Sequence, residues 1–201
     1  VPIAIDTEKI NNICQKRSTL KNPQELEIAS KLNSNFCLFV GSQHTPNIEA
    51  VEQIHQWLNP TPSTSEAFTG QFVIVGGCWP IAEEGNFISL GKVSDEMLSY
   101  LYQCASLVLS PLSAGTGMSV KTIEAMAYGK VILGTSVGFR GYPVESGVNC
   151  VVCDNLDDYP EKIGQLLQQP DVLNRMGQQA KEFAQGYDYH LLYKTYLDLI
   201  L

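Results

Sequence analysis

A glycine-rich segment of the chain carries residues whose types and spacing could bind a phosphorylated ligand. Gly115 and Gly117 can adopt positive φ and let backbone amides approach an anion with no Cβ in the way. A short helix is predicted after Gly117, and its first turn offers unpaired N–H groups and the positive end of the helix dipole. Lys121 and Glu124 are three residues apart and therefore share one helix face. The lysine could hold phosphate charge while the glutamate accepts hydrogen bonds from sugar hydroxyls.

A plainer interpretation of the same residues stays open at this point. The two glycines would then only form a tight turn, and Lys121 and Glu124 would be an ion pair on a solvated helix face. The two interpretations differ in whether the segment binds a ligand at all.

Two apolar strands enclose this segment. The runs Ser106–Ser110 and Val131–Thr135 have strand length, and the helix between them makes a βαβ unit with parallel strands. Gly129 is placed to end that helix in the left-handed conformation. Because such sheets bind ligands at the carboxyl ends of their strands, the segment lies where a ligand is expected.

Two other phosphate-binding signatures do not fit. A P-loop needs Gly-Lys-Ser/Thr at the start of the helix, whereas Lys121 lies four residues beyond Gly117. A dinucleotide fold needs Gly-x-Gly-x-x-Gly after its first strand, but no further glycine follows the strand Phe36–Gly41 before Pro46. NAD binding is therefore not expected.

Several short motifs occur in the order and spacing of one known family. They are Phe39-Val-Gly41-Ser42, Pro46-Asn47, Val73-Ile-Val-Gly76, Leu90-Gly91-Lys-Val93-Ser-Asp95, Pro111 to Gly117, Lys121, Glu124-Ala-Met-Ala and Gly129. Over roughly residues 36–153 they resemble the retaining, group-1-type glycosyltransferases of the two-Rossmann GT-B fold, and specifically their carboxy-terminal half.

The resemblance implies that this half binds a nucleotide-sugar donor. Glu124 would accept hydrogen bonds from the donor ribose, the amides around Gly115 to Gly117 would meet the pyrophosphate, and the Lys92–Val93 segment would flank the nucleobase. Gly41 and Ser42 would line the cleft that faces the acceptor half. The expected donor-binding residues are Gly41, Ser42, Lys92, Val93, Ser113, Gly115, Thr116, Gly117, Met118, Lys121 and Glu124.

The chain departs from the family pattern at two places. Many members carry a second glutamate eight positions before the one matched by Glu124, near the transferred sugar, and Thr116 stands there instead. Many also carry an Arg and a Lys after the first strand, where this chain has Ser42, Gln43 and His44. Lys121 is our candidate to supply the missing positive charge at the diphosphate. No catalytic residue is assigned.

Composition narrows the classes of partner. The 201 residues are 44% hydrophobic, enough for a substantial core, and carry a net charge of −8. An acidic body argues against a broad nucleic-acid surface and against attraction to anionic lipid. No apolar run approaches the roughly 20 residues of a membrane span, and no secretory signal is recognisable at the start. We expect a cytoplasmic location.

The cysteines and clustered carboxylates suggest structural functions. Cys150-Val-Val-Cys153 has the C-x-x-C spacing of redox and zinc sites, but it lies in a valine-rich strand pattern and has no second pair. Asp154, Asp157 and Asp158 precede a helical pattern, and capping of that helix is expected rather than metal binding. No metal and no cofactor beyond the donor substrate is expected.

The expected fold is α/β, a Rossmann-like doubly wound parallel sheet that forms one half of a GT-B fold, with a C-terminal helical tail. We divide the chain into a linker and edge segment (1–35), a nucleotide-sugar-binding core (36–155) and C-terminal helices that complete the domain (156–201). The last segment, Leu191–Leu201, is apolar enough either to pack on this core or to contact an absent partner domain.

Further elements follow from local patterns. A helix is predicted over 46–58 after Pro46, a loop over 59–65, strands at Gln71–Val75 and Phe87–Leu90, and a helix capped by Ser94. Met97, Leu98, Leu101 and Tyr102 are assigned to the buried face of that helix. His55 is expected to be a core or boundary residue, and His44 a surface residue of the loop after the first strand.

We therefore expect the donor-binding half of a hexosyltransferase-like enzyme. The acceptor-binding N-terminal domain would be missing, so this chain alone should bind a donor but hardly catalyse transfer, because closure of two halves positions the substrates and excludes water. Two alternatives remain: half of a sugar-nucleotide epimerase of the same fold, and a non-catalytic binding or interaction module.

Overall fold

The computed structural model describes residues 3–16, 20–58 and 70–200, with the backbone alone for residues 16 and 195–200. Within these ranges the chain forms seven strands. They are β1 (Phe36–Val40), β2 (Gln71–Val75), β3 (Ala82–Glu84), β4 (Phe87–Ser89), β5 (Leu107–Ser110), β6 (Ile132–Gly134) and β7 (Val151–Val152).

Eight α-helices accompany the strands in the described ranges. They are α1 (Thr7–Lys16), α2 (Pro23–Lys31), α3 (Thr45–Gln56), α4 (Asp95–Cys104), α5 (Val120–Ala127), α6 (Tyr159–Leu167), α7 (Pro170–Gln185) and α8 (Tyr189–Ile200). The loop predicted for 59–65 lies outside the described residues.

The strands form one sheet in the order β3-β4-β2-β1-β5-β6-β7. All neighbours pair in parallel except the short edge strand β3, which is antiparallel to β4. The predicted Rossmann-like doubly wound sheet is confirmed. Its strand order reverses direction between β1 and β5, and this is the point at which a ligand cleft opens in sheets of this kind.

Both faces of the sheet are covered, which explains the nearly continuous apolar runs of its central strands. Along β1, Phe36 and Leu38 join one buried cluster, which also includes residues of α1, α4, α5 and α7. Cys37 and Phe39 point to the opposite cluster, which includes residues of α3 and α6. Alternation along a strand therefore anchors helices on both sides.

Local sequence signals set the helix starts. Ser94 accepts a hydrogen bond from the Met97 amide at the start of α4, as predicted, and Ser119 accepts one from the Thr122 amide at the start of α5. The latter helix therefore begins at Val120, three residues later than Gly117. Gly129 follows its end with φ of 72°, the left-handed conformation expected there.

The segment before β1 differs from the expectation of linker and edge structure. It contains two helices, α1 and α2, and the side chains of Ile5, Ile10 and Leu20 are buried in the core. The apolar positions are sparse in this polar stretch, so periodicity alone gave too little signal to identify the helices.

The carboxylates after β7 also differ from the expectation that they cap a helix. Asp154 instead accepts hydrogen bonds from the amide and hydroxyl of Ser136, which follows β6. These bonds lower the pKa of Asp154. Asn155 caps the short 3₁₀ turn Leu156–Asp158 by accepting from the Asp157 amide. Asp158 occupies the cap position of α6 without a capping side-chain hydrogen bond.

The predicted helical tail is present, with breaks at 168–169 and 186–188. Asp188, between α7 and α8, contacts the start of α1: its carboxylate accepts hydrogen bonds from the amide and the hydroxyl of Thr7 at 3.1 and 2.6 Å. The backbone of Ile5 pairs with Tyr187 and Tyr189 beside it. The side chains of Leu191 and Tyr193 on α8 are exposed, as the partner-domain interpretation of this segment predicts.

The C-x-x-C cysteines flank β7 as buried free thiols. Burial raises the pKa of Cys150 to about 12, which disfavours the reactive thiolate. The structural interpretation of the pair stays a prediction. None of the helices in the described ranges combines the length and apolar character needed to cross a bilayer.

Candidate functional site

A cavity of about 190 Å³ opens at the carboxyl ends of β1 and β5. Gly41, Ser42 and Lys121 of the predicted site line it. The rest of its wall comes from strand ends, α3, α4 and α5: Phe39, Val40, Asn47, Tyr102, Val108, Leu109, Ser110, Leu112, Ser119, Thr122 and Ile132. The sequence thus places these predicted residues together at the reversal point of the sheet.

Close packing of glycines fixes the strand ends beside this cavity. Gly76, after β2, has φ of 109°, and a Cβ there would collide with the carbonyl oxygen of Gly41. The Gly76 amide also donates to the Gly91 carbonyl at 2.7 Å. Only glycine allows this approach, so Gly76 holds the loops after β1, β2 and β4 against one another.

The glycine-rich segment, residues 111–119, is an irregular loop between β5 and α5. Gly115 has φ of 156°, close to extended, and Gly117 does not adopt positive φ. Of the two glycines that can adopt positive φ, Gly115 does so in this structure and Gly117 does not. A Cβ on Gly117 would meet no atom within 4 Å, so folding leaves its space open to an incoming group.

The amides of this loop are free to bind a ligand. Within the described part of the chain, the N–H groups of residues 113–118 donate no hydrogen bond. The loop ends at the N-terminus of α5, where the helix dipole favours negative charge. Free amides next to a helix start are the arrangement that binds phosphate oxygens.

Residues that the motifs did not reveal hold the loop in place. The buried Tyr142 donates its hydroxyl to the Ser119 carbonyl at 2.8 Å, which fixes the first residue before α5. Gly141 has φ of 82° and packs against Met118, whose Cγ would lie 2.5 Å from a Cβ at that position. On the opposite side, Ser113 donates to Glu49 of α3 at 3.2 Å. No phosphate-site motif includes Glu49, Gly141 or Tyr142, so only tertiary structure identifies them.

Lys121 and Glu124 form the ion pair that their spacing allows, with Nζ 2.8 Å from Oε2. The lysine side chain is 45% exposed and the glutamate side chain 23%. Glu124 is therefore more enclosed than a residue on a solvated helix face. It lies outside the wall of the first cavity and lines a neighbouring one of about 420 Å³, between α1, α4 and α5.

Tyr102 of α4 connects the two cavities. Its ring is fully buried and lines the first cavity, while its hydroxyl lies 3.4 Å from Oε2 of Glu124. Burial and the nearby Glu124 carboxylate raise the pKa of Tyr102 well above its ordinary value, so the hydroxyl keeps its proton. Helical periodicity identified this residue only as a packing position.

The segment predicted to flank a nucleobase follows β4 at the same edge of the sheet. Lys92 is exposed, and its Cε would lie 3.9 Å from a Cβ on Gly77, the residue after Gly76. Val93 is half-buried against the core. Neither residue lines either of the two cavities. Thr116 is exposed in the glycine-rich loop, and it brings no carboxylate to that position.

The histidines behave as boundary and surface residues. His55 lies between Trp79 and Phe87 and contacts Glu84 Oε2 through Nε2 at 2.9 Å. His44 is exposed at the start of α3 and is not part of the cavity wall. In the described ranges, no group of three or more His, Cys, Asp or Glu side chains is arranged to hold a metal ion.

Comparison with known proteins decides the family. The model of the family described as Glycosyl transferases group 1 matches residues 34–169. The chain belongs to this family. A curated relative of this group 1 chain, an uncharacterised glycosyltransferase of Methanocaldococcus jannaschii, is 33% identical over 103 residues, which are 50% of this chain and 29% of that protein.

Solved structures show the fold of the group 1 domain. Anabaena HepE, in complex with UDP-glucose, is similar with a TM-score of 0.71 at 16% identity, over 98% of this chain and 55% of that one. The C-terminal domain of a group 1 glycosyl transferase from Francisella tularensis has a TM-score of 0.66 at 13% identity, over 92% of this chain and 99% of that one. The chain thus has the fold of one half of a GT-B protein and spans about half of HepE.

Proposed function

We propose that this chain is the nucleotide-sugar donor-binding half of a glycosyltransferase that transfers a sugar from a nucleoside diphosphate to an acceptor. The observation that carries the proposal is the cavity at the reversal point of the sheet, with Lys121 in its wall and the free amides of residues 113–118 beside it. Family membership supports it, as does the UDP-glucose that the similar Anabaena protein binds.

Each part of a donor has a candidate partner. The amides of the glycine-rich loop and the dipole of α5 would bind the diphosphate, with Lys121 adding charge. Glu124 would accept from the ribose hydroxyls, and the Lys92–Val93 segment would flank the base. Retention of configuration at the reacting carbon of the transferred sugar stays a prediction from the family resemblance.

The acceptor site would come from a second domain. The exposed Leu191 and Tyr193 on α8 offer apolar surface for contact with such a domain. Without it, water reaches the donor and no acceptor is positioned, so we expect binding without efficient transfer. The cytoplasmic location and the absence of a cofactor stay predictions of the sequence.

Calorimetric titration with UDP, GDP, uridine and guanosine tests the proposal. We expect one nucleoside diphosphate to bind clearly more tightly than its nucleoside, and Glu124→Ala to weaken that binding by about 10-fold or more, as loss of hydrogen bonds to a charged group predicts. Glu52→Ala is the matched control, because Glu52 is exposed on α3 and does not line either cavity. Absence of binding by all four compounds would contradict donor binding by this chain and favour the interaction-module alternative.

The epimerase alternative needs a different measurement. Product analysis with a longer protein that includes both halves separates sugar transfer to an acceptor from inversion within the sugar nucleotide. A product that is only an isomer of the donor sugar nucleotide would overturn the transferase proposal.

A further inference from the structure

The hydroxyl of Tyr102 is a buried polar group with a specific partner. The side chain has 0% exposure, and Glu124 is the partner of its hydroxyl, at 3.4 Å, within the described residues. A phenylalanine would fill the same space without the desolvation of a hydroxyl. Packing of the core therefore does not account for the oxygen, whereas a contact with Glu124 does.

Glu124 uses one carboxylate oxygen for both of its intramolecular contacts. Oε2 accepts from Lys121 Nζ at 2.8 Å and lies within reach of the Tyr102 hydroxyl. Among the described residues, no donor contacts Oε1. Two donors on one oxygen restrict rotation of the carboxylate, and the second oxygen remains available to a ligand.

The Tyr102 ring is itself held rigidly. It stacks on Tyr128 of the turn after α5, with centroids 4.9 Å apart and an angle of 16° between the rings. Tyr128 in turn donates its hydroxyl to Ser99 Oγ of α4 at 2.8 Å. The stack fixes α4 against α5, so the Tyr102 hydroxyl is presented to Glu124 from a preorganised position.

We propose that Tyr102 is a positioning residue: its hydroxyl orients the Glu124 carboxylate so that Oε1 accepts hydrogen bonds from the ribose hydroxyls of a nucleoside diphosphate. The inference rests on the proposed function and adds to it a residue that does not touch the ligand. Loss of the Tyr102 hydroxyl should therefore weaken the contact with ribose and leave the contacts with the diphosphate intact.

The test compares ligands with and without ribose hydroxyls. The probes are UDP and GDP beside their 2′,3′-dideoxy analogues, titrated into the unchanged chain, Tyr102→Phe and Tyr100→Phe. The last is the matched control: it removes a tyrosine hydroxyl from the same helix α4, at a residue that lines neither cavity and is not part of the stack of Tyr102 on Tyr128. Thermal unfolding checks that each variant is folded, and Tyr102→Met replaces Tyr102→Phe if the latter is not.

We expect the unchanged chain to bind the ribose form of one diphosphate at least about 10-fold more tightly than the dideoxy form, as one charge-assisted hydrogen bond predicts. Tyr102→Phe should reduce this ratio to about threefold or less, with the affinity for the dideoxy form nearly unchanged, and Tyr100→Phe should keep the full ratio. A purely structural effect would weaken both forms equally.

A full ratio retained in Tyr102→Phe would overturn the inference and leave donor binding standing. Equal weakening of both forms would likewise overturn it. Absence of binding by the unchanged chain would contradict the proposed function, and the inference with it. A chain that binds the diphosphates without any preference for the ribose form would overturn the contact of Glu124 with ribose but not diphosphate binding at the loop.

Discussion

Lys121 and Glu124 form an ion pair in the ligand-free chain, with the Nζ and Oε2 atoms 2.8 Å apart. The ion pair that the plainer interpretation expects is therefore present, but an ion pair does not by itself exclude ligand binding. Lys121 also lines the cavity at the carboxyl ends of β1 and β5. A diphosphate in that cavity would compete with Glu124 for the ammonium group of Lys121. Because Lys121 already has a carboxylate partner, it should contribute less to diphosphate affinity than an unpaired lysine would.

Replacement of Lys121 should separate diphosphate binding from nucleoside binding. We expect Lys121→Ala to weaken UDP or GDP binding by about 5- to 50-fold, because one partly exposed cation is lost near the phosphates. Binding of uridine or guanosine should change little. Calorimetry at low ionic strength measures both, and Arg175→Ala serves as control, since Arg175 is an exposed cation on α7. Equal losses for nucleoside and diphosphate would reject a role for Lys121 at the phosphates.

The sequence predicted the layout of the sheet well because buried parallel strands have a strong signal. The apolar runs that became β1, β2 and β5 have strand length and are bounded by turn residues. The glycine-rich loop and the two charged residues of α5 were visible because their spacing is local. Contacts within one helix turn follow from periodicity alone, so the pair Lys121 and Glu124 needed no tertiary information.

The missed parts of the site depend on contacts between distant segments. Tyr102 on α4 contacts Glu124 on α5, and Tyr142, which follows β6, donates to Ser119, which precedes α5. A tyrosine on an apolar helix face has the same pattern whether or not its hydroxyl has a partner. Likewise Asp154 could cap a following helix or accept from Ser136, and only the pairing of β6 with β7 decides between them.

Gly76 should be the least replaceable glycine at the edge of the sheet. A side chain at φ of 109° is strained by about 1–3 kcal/mol, and the added Cβ would also collide with the Gly41 carbonyl. We expect Gly76→Ala to lower the free energy of unfolding by more than about 3 kcal/mol in urea titrations, or to prevent folding.

Substitutions at two other glycines separate the cost of backbone strain from the cost of the collision. Gly85 has φ of 60° with open space around it, so Gly85→Ala should cost only about 1–2 kcal/mol. Gly164 lies within α6, also in open space, and Gly164→Ala should stabilise the chain by about 0.5–1 kcal/mol. A Gly76→Ala variant no less stable than Gly85→Ala would show that the strand ends move apart easily.

Asp188 should make stability depend on acid pH. Partial burial raises the pKa of this carboxylate, but hydrogen bonds from Thr7 and from the backbone of Leu191 and His190 outweigh burial and hold the pKa below its ordinary value. A lowered pKa in the folded state means that the stabilisation is present above the unfolded pKa of about 4 and is lost as the pH falls through the folded pKa.

Asp188→Asn should therefore lower the free energy of unfolding by about 1–2 kcal/mol at pH 7, with the difference from the unchanged chain shrinking below about pH 4. Urea unfolding at several pH values measures this. Asp157→Asn is the control, because Asp157 is exposed in the turn after β7. If the loss of unfolding free energy in Asp188→Asn stayed constant down to pH 3, the loss would not come from ionisation of the carboxylate.

Thiol labelling should distinguish exposed from structural cysteines. Cys104 is exposed, whereas Cys37 and Cys150 are buried with pKa values raised by burial, to about 12 for Cys150. Since the thiolate is the reactive form, a thiol reagent at pH 8 should modify Cys104 within minutes, and Cys37 and Cys150 only after unfolding in denaturant. Mass spectrometry of peptides locates the modified residue, and Cys104→Ser should remove the fast phase. Rapid modification of Cys150 or Cys153 in the folded chain would instead favour a reactive C-x-x-C pair at the end of the sheet.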